Sequence, residues 1–137
     1  MKREKLVGFL RAQPWAVEAS VNRDGGPEAA VIGVAVTERL ELVFDTHGTS
    51  RKAQNLRSNP RVALVMGWDE GQTAQIEGVA DEPTGDDLQR LKEIYFQRFA
   101  DGRERAALAD ITYFRVTPTW IRYSDFRPTP PATKLSF

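Results

Sequence analysis

Apolar residues occur in this chain as short runs separated by turn-forming residues, and this spacing constrains the fold more than any other feature. The longest nearly unbroken apolar run, Ala29 to Val36, has eight residues and is too short to cross a bilayer as a helix. Short runs bounded by Gly, Pro, Asn and Asp are typical of β-strands. The pattern therefore predicts a sheet of short strands and no membrane-spanning segment.

Strand and helix patterns follow one another in an order that predicts the fold class. Strand patterns occupy approximately residues 15–22, 29–36, 40–44, 61–68, 73–80, 111–116 and 120–123. The run 29–36 is apolar on both faces, which predicts burial on both sides. Three helical patterns are present. The first lies at the N-terminus and ends near Pro14, the second covers residues 51–56, and the third extends from a capping-box variant at Thr84 and Asp87 to about residue 101. We therefore expect an α+β, mainly β protein built on a barrel or strongly curved sheet.

Length and composition limit the number of domains and the kinds of site. The 137 residues fit a single domain, with a proline-rich tail from about residue 127 that is unsuited to a central strand. The absence of cysteine and the single histidine, His47, exclude thiolate zinc sites, iron–sulfur clusters and sites of several imidazoles. The 19 Lys and Arg residues balance 19 Asp and Glu residues, which predicts no nucleic-acid or anionic-membrane partner. The charged N-terminus does not resemble a signal peptide, so we expect a cytoplasmic protein.

A segment rich in hydroxyls and cations, residues 44–52, leads from a strand through a glycine into a helix start. Backbone N–H groups at a helix N-terminus carry partial positive charge and bind anions. Thr49 and Ser50 add hydroxyl donors, and Arg51 and Lys52 add two cations within one helical turn. The segment is therefore a candidate site for a phosphate dianion.

The same residues also have an ordinary structural interpretation. A serine before a helix is usually an N-cap, and adjacent Arg and Lys on a surface helix usually contact solvent. Cations in a first turn oppose the helix dipole by roughly a few tenths of a kcal/mol each, a cost that a bound anion would reverse. The residue types alone leave both interpretations open.

Motifs at fixed spacing resemble the flavin-binding half of the pyridoxamine 5′-phosphate oxidase family. They are Thr46-x-x-x-Ser50-Arg51-Lys52, then Asn59-Pro60-Arg61-Val62-Ala63-Leu64 with Trp68, then a strand ending in Gln75-Ile76-Glu77-Gly78. The similarity extends from about Ala16 to Phe99. It implies a six-stranded antiparallel split β-barrel with short flanking helices, in a homodimer that holds FMN at the subunit interface.

The resemblance also implies roles for individual residues. Ser50, Arg51 and Lys52 match the family's phosphate grip, and Asp45 and Thr46 match the strand end beside the flavin and its ribityl chain. Further candidates for cofactor contact are Thr73 or Gln75, facing the isoalloxazine ring, and Arg122, reaching a flavin across the dimer. For Arg122 the alternative is an ion pair with Asp125, or a cation–π contact, that orders the tail.

Departures from the family pattern leave the substrate open. Oxidases of pyridoxamine phosphate carry an arginine and a lysine on the second strand, where this chain has Glu28-Ala29-Ala30-Val31-Ile32-Gly33. Their Tyr-Phe-x-x-Arg pattern becomes Tyr95-Phe96-Gln97-Arg98, and no histidine follows His47. The expected function is an FMN-dependent oxidoreductase that transfers a hydride to or from a small molecule. The alternatives are a non-catalytic protein that binds or stores FMN or pyridoxal phosphate, and a relative that uses a deazaflavin or haem.

Overall fold

In the computed structural model, residues 1–128 are described and form one curled antiparallel sheet flanked by short helices. Within this range the helices are α1 (Arg3–Arg11), α2 (Arg51–Ser58), α3 (Gly85–Arg98) and α4 (Gly102–Ala106). The strands are β1 (Ala16–Val21), β2 (Pro27–Ile32), β3 (Ala35–Val36), β4 (Leu42–His47), β5 (Arg61–Met66), β6 (Gln72–Asp81) and β7 (Ile111–Asp125). The expected α+β, mainly β class is confirmed. The predicted tail begins at about residue 127, and its part from residue 129 onward lies outside the described residues.

The order of the strands curls the sheet into a half-barrel. From edge to edge the order is β2-β1-β5-β6-β7-β4-β3, and all neighbours pair antiparallel. The two edge strands are joined by Gly33 and Val34 alone, so the sheet must bend until its edges approach each other. Gly33 lies against the ring of Phe99, where an added Cβ would come within 2.8 Å of a ring carbon. A side chain at this position would therefore force the ring to move.

The prediction of one strand over residues 29–36, buried on both faces, is wrong. Its first half belongs to β2 at one edge of the sheet, where Ala29, Ala30 and Val31 are exposed. Its second half is the separate, buried β3 at the opposite edge. The break occurs because the chain leaves its pairing with β1 at Ile32 and joins β4 at Ala35.

The expected number of six strands is also corrected, since seven are present in the described part of the chain. The two last strand patterns merge into the single β7, which pairs with β4 at one end and with β6 along most of its length. A register shift between Glu77 and Gly78 lets the long pair bend. An added Cβ at Gly78 would lie 2.6 Å from the carbonyl oxygen of Thr117, which accounts for the glycine there.

The apolar core has two parts, one on each side of β4. The larger part lies between the curled sheet, α1 and α2, and includes Phe44 and Phe114 with ring centroids 5.8 Å apart. The smaller part lies under α3, whose buried residues are Leu91, Tyr95 and Phe96. Burying each such side chain contributes roughly 1.5–3 kcal/mol relative to leaving it exposed.

The start of α3 differs from the expected capping box. Thr84 is the N-cap residue, but its side chain makes no capping hydrogen bond. Asp87 instead accepts hydrogen bonds from Arg90 and Arg115, whose guanidinium groups also bind Glu41. Ion pairing with a neighbouring strand therefore outcompetes the local cap. No helix within residues 1–128 has both the length and the apolarity needed to cross a membrane.

Candidate anion-binding cleft

The start of α2 is built by a local cap. The Ser50 hydroxyl oxygen accepts a hydrogen bond from the backbone N–H of Ala53 at 3.1 Å, and Thr46 Oγ1 lies 2.9 Å from the same oxygen. Serine at this position supplies a partner for a helix N–H that would otherwise have none. The cap fixes the first turn, and Arg51 and Lys52 follow directly within it.

A cleft of about 280 Å³ lies beside this first turn. One wall is α2, and the other is formed by the facing side chains of β1 and β2. The charged or polar side chains that line it are Glu18, Ser20, Glu28, Ser50, Arg51 and Lys52. The structure thus brings three of the sequence-predicted residues together at one concave site.

Arg51 does not point freely into this cleft, because its guanidinium group forms an ion pair with Glu28. Glu28 is held in turn by Nδ2 of Asn55 at 2.9 Å and Nδ2 of Asn22 at 3.1 Å. The hydrogen bond from Asn55 lowers the pKa of Glu28, and those from Asn22 and Arg51 lower it further. Glu28 is therefore a carboxylate held in its charged form at the edge of the cleft.

Glu18 is a carboxyl group buried at the base of the same cleft, with 1% of its surface exposed. Its neighbours across the sheet are Ala30 and Leu64. Its Oε1 has no hydrogen-bond partner among the described residues. Burial raises the pKa of Glu18, and the charge of Glu28 raises it further, while Ser20 and Lys52 act in the opposite direction. A polar atom of this kind points to a missing partner in the cleft.

Gln75 and Arg122 lie elsewhere, on the outer face of the sheet. They are directly opposed on β6 and β7 and belong to one cross-strand row, the outer row: Val31, Val17, Val65, Gln75 and Arg122. The guanidinium carbon of Arg122 lies 5.5 Å from the centre of the Trp120 ring. Asp125 pairs with Arg127. Of the alternatives for Arg122, the cation–π contact is therefore present, and the pair with Asp125 is not formed.

Thr73 is the cross-strand partner of Ser124, and it lies two residues before Gln75 on β6 and therefore on the same outer face. Within one chain, neither Thr73 nor Gln75 lines the cleft beside α2. The predicted site residues therefore form two separate groups, one at the start of α2 and one on the outer face.

Asp45 belongs to neither group. Successive residues of β4 alternate in direction, so Asp45 faces away from Thr46. Its Oδ1 accepts a hydrogen bond from the Tyr95 hydroxyl at 2.9 Å, and its Oδ2 accepts one from Arg105 Nε at 2.9 Å. Both carboxylate oxygens thus anchor α3 and α4 to the sheet.

Glu18 and Glu28 are the site residues that sequence reasoning missed. Glu18 follows the alternating pattern of β1 and is indistinguishable there from a solvent-facing glutamate. The sequence distinguishes Glu28 only because it lies on the second strand, where the oxidases of pyridoxamine phosphate carry cations. Both are identified by position, because antiparallel pairing of β1 with β2 places them opposite α2.

An antiparallel sheet curled into a half-barrel, with a helix start packed against its edge, defines a split-barrel protein. The family model described as pyridoxamine 5′-phosphate oxidase matches residues 3–125. The chain therefore belongs to the pyridoxamine 5′-phosphate oxidase family.

Relatives known by sequence are longer than this chain. The pyridoxine/pyridoxamine 5′-phosphate oxidase of Burkholderia vietnamiensis is 33% identical over 89 residues. The matched segment covers 64% of this chain and 42% of that oxidase, less than half of its length. The relationship thus covers a common part of the two proteins.

Solved structures share the fold over nearly the whole chain. A conserved hypothetical protein of Mycobacterium tuberculosis has a TM-score of 0.78 and 22% identity, covering 93% of this chain and 86% of its own. The haem storage protein of Vibrio cholerae has a TM-score of 0.76 and 20% identity, covering 89% of this chain and 94% of its own. At these identities the likeness shows the fold alone.

Proposed function

We propose that the protein is a cytoplasmic, homodimeric FMN-dependent oxidoreductase that transfers a hydride to or from a small molecule. The observation that carries the proposal is the grouping of Ser50, Arg51 and Lys52 at one cleft in a member of this family. A capped helix start with two cations is a suitable donor set for a phosphate monoester.

The residues of the cleft fit a phosphate on one condition. Lys52 and the N-terminal N–H groups of α2 lie at the cleft, but Arg51 is paired with Glu28 and must exchange this carboxylate for a phosphoryl oxygen. Glu18 in its neutral form would donate a hydrogen bond to an anion from the base of the cleft. At about 280 Å³ the cleft lies at the lower limit of roughly 300 Å³ for small-ligand pockets, so a flavin nucleotide would extend beyond it.

We propose that a second copy of this chain packs against the outer face. Val31 is 62% exposed and Trp120 is 41% exposed on this face. Exposed apolar side chains on one continuous sheet face are typical of protein interfaces. A dimer formed through this face would bring Gln75 and Arg122 of one subunit toward the cofactor of the other.

Bound FMN would supply the hydride chemistry itself. The chain's own residues would bind and orient it: Arg51 and Lys52 the phosphate, Thr46 the ribityl chain, and Gln75 or Thr73 the ring. A neutral amide such as Gln75 can hydrogen-bond ring heteroatoms without exchanging a proton with them. The proposal therefore needs no acid–base pair in the protein.

The visible spectrum of the purified protein tests the proposal. Two flavin absorption bands that are lost on stripping and restored by added FMN would support it. A protein that takes up haem with a Soret band and ignores FMN would instead favour haem use, as would be expected of a relative resembling the haem storage protein. Anaerobic reduction of the bound flavin by NADH or NADPH would then identify a reductase. Absence of any reduction or turnover by a small molecule would favour flavin storage.

A further inference from the structure

Two carboxyl groups, Glu18 and Glu28, share the cleft with its cations. A site for a phosphate dianion is stabilised by donors and positive charge, and a carboxylate beside the anion weakens binding by repulsion. The charge of the cleft is therefore set by four side chains together, the two carboxyl groups and Arg51 with Lys52.

Glu28 is the fixed member of its ion pair, and Arg51 is the movable one. The Glu28 side chain is 19% exposed and receives hydrogen bonds from Asn55 and Asn22. The Arg51 side chain is 79% exposed and has no other hydrogen bond within the described chain. When an anion enters the cleft, the guanidinium group can swing toward it, whereas the carboxylate stays.

We infer that Glu28 competes with a bound phosphate for the guanidinium group of Arg51. This competition sets how strongly the cleft prefers phosphorylated over unphosphorylated ligands. The inference rests on the proposed flavin function. An incoming phosphate gains a contact with Arg51 only by replacing an existing carboxylate contact, and it meets the charge of Glu28 as well. The net contribution of Arg51 to phosphate binding is therefore smaller than that of an unpaired arginine.

The Glu28→Gln variant tests this competition. Glutamine has nearly the same size and keeps an oxygen that accepts the hydrogen bond from Asn55. The dissociation constants of FMN and riboflavin are measured by fluorescence quenching for wild type and variant, because their ratio isolates the phosphate. FMN is expected to bind about tenfold more tightly to Glu28→Gln, the order of one charge-assisted hydrogen bond. Riboflavin affinity is expected to stay unchanged.

Two further variants separate competition from a structural effect. Glu82→Gln breaks the ion pair that Glu82 forms with Arg57 of α2 outside the cleft, and is expected to leave both affinities unchanged. In an Arg51→Ala background, Glu28→Gln is expected to have a smaller effect, because competition for Arg51 is gone and only the repulsion between Glu28 and the phosphate remains to be removed. Unchanged or weaker FMN binding by Glu28→Gln in a folded protein would overturn the inference.

Failure of the proposed function would give a different result. If neither wild type nor variant binds either flavin, the flavin proposal fails, and competition is then measured with inorganic phosphate. Stronger protection of Glu28→Gln than of wild type against thermal unfolding by phosphate would support the inference. Equal protection of the two proteins would overturn it.

Discussion

The hydroxyl group of Tyr95 on α3 donates a hydrogen bond to Asp45 on β4, at 2.9 Å. Arg105 donates to the same tyrosine oxygen at 3.2 Å and to the other oxygen of Asp45 at 2.9 Å. Burial and the neighbouring Asp45 raise the pKa of Tyr95, so the phenol stays a proton donor across the physiological range. This group of three side chains holds α3 and α4 on the sheet.

Tyr95→Phe is expected to lower the free energy of unfolding by about 1.5–3 kcal/mol, because it removes a hydrogen bond to a charged group. Chemical denaturation measures the loss. Tyr113→Phe is the matched control, since the buried Tyr113 hydroxyl has no partner within residues 1–128 and its ring lies 6.1 Å from that of Tyr95. Tyr113→Phe should be neutral or stabilising. Equal losses in the two variants would contradict the assignment of the Tyr95 bond.

Glu18→Gln is expected to raise the melting temperature at pH 8 by a few degrees, the effect of roughly 1 kcal/mol in a chain of this size. The folded-state pKa of Glu18 is raised, so the unfolded carboxyl ionises first, near its ordinary value of 4.5. Stability is therefore full below that pH and is lost as pH rises through the folded-state pKa. The gain from Glu18→Gln should vanish at low pH.

Thermal unfolding across this pH range provides the measurement. The groups facing Glu18 are Lys52 and Arg51 on α2 and Glu28 on β2, and Ser20 lies next to it on β1. Glu38→Gln, at an exposed position, is the control for the loss of a carboxyl group without burial. A pH-independent difference between wild type and Glu18→Gln would show that burial does not penalise the charged form.

Joint substitution Arg51→Ala and Lys52→Ala is expected to weaken FMN binding by at least about a hundredfold, because phosphate loses both cations and meets the charge of Glu28, which no longer has Arg51 as a partner. Riboflavin should be affected far less. The pair Lys92→Ala and Arg103→Ala removes the same charge from α3 and α4, outside the cleft, and serves as the control in the same titration. If the α2 variant bound FMN with wild-type affinity, the assignment of the phosphate site to this cleft would be wrong.

Val31→Lys is expected to convert the proposed dimer to a monomer, because it places a charge among the exposed apolar side chains at the β2 edge of the outer face. Sedimentation velocity gives the oligomeric state directly. Leu108→Lys alters another exposed apolar residue, in the segment between α4 and β7, and should leave the dimer intact. A monomeric wild type, or a dimeric Val31→Lys variant, would exclude this face as the interface.

Local features of this chain were predictable from sequence. The cap at Ser50, the helix that follows it and the helical pattern of α3 depend on residues within one or two turns of each other. Such patterns involve few long-range contacts, so the sequence suffices to place them. The grouping of Ser50, Arg51 and Lys52 follows from the same local order.

Features set by distant pairing were not predictable. The alternation of β1 suggests that Val17 and Ala19 face the core, but Glu18 and Ser20 are the buried residues. Alternation gives the period of a strand and not the direction of its faces. The division of the run 29–36 likewise depends on closure of the whole sheet, and the contact of Glu28 with Arg51 depends on pairing of β2 beside α2. The contact of Asp45 with Tyr95, 50 positions later, also depends on the fold, and nothing local in the sequence indicates it.

The two edge strands joined at Gly33 and Val34 offer few backbone groups for pairing with other chains. β3 presents an edge of only two residues, and very short edge strands are poor templates for aggregation. The other edge, β2, begins with Pro27, which has no N–H group to donate. Strand addition to a partly unfolded molecule would therefore be confined to the few residues of β2 that follow this proline.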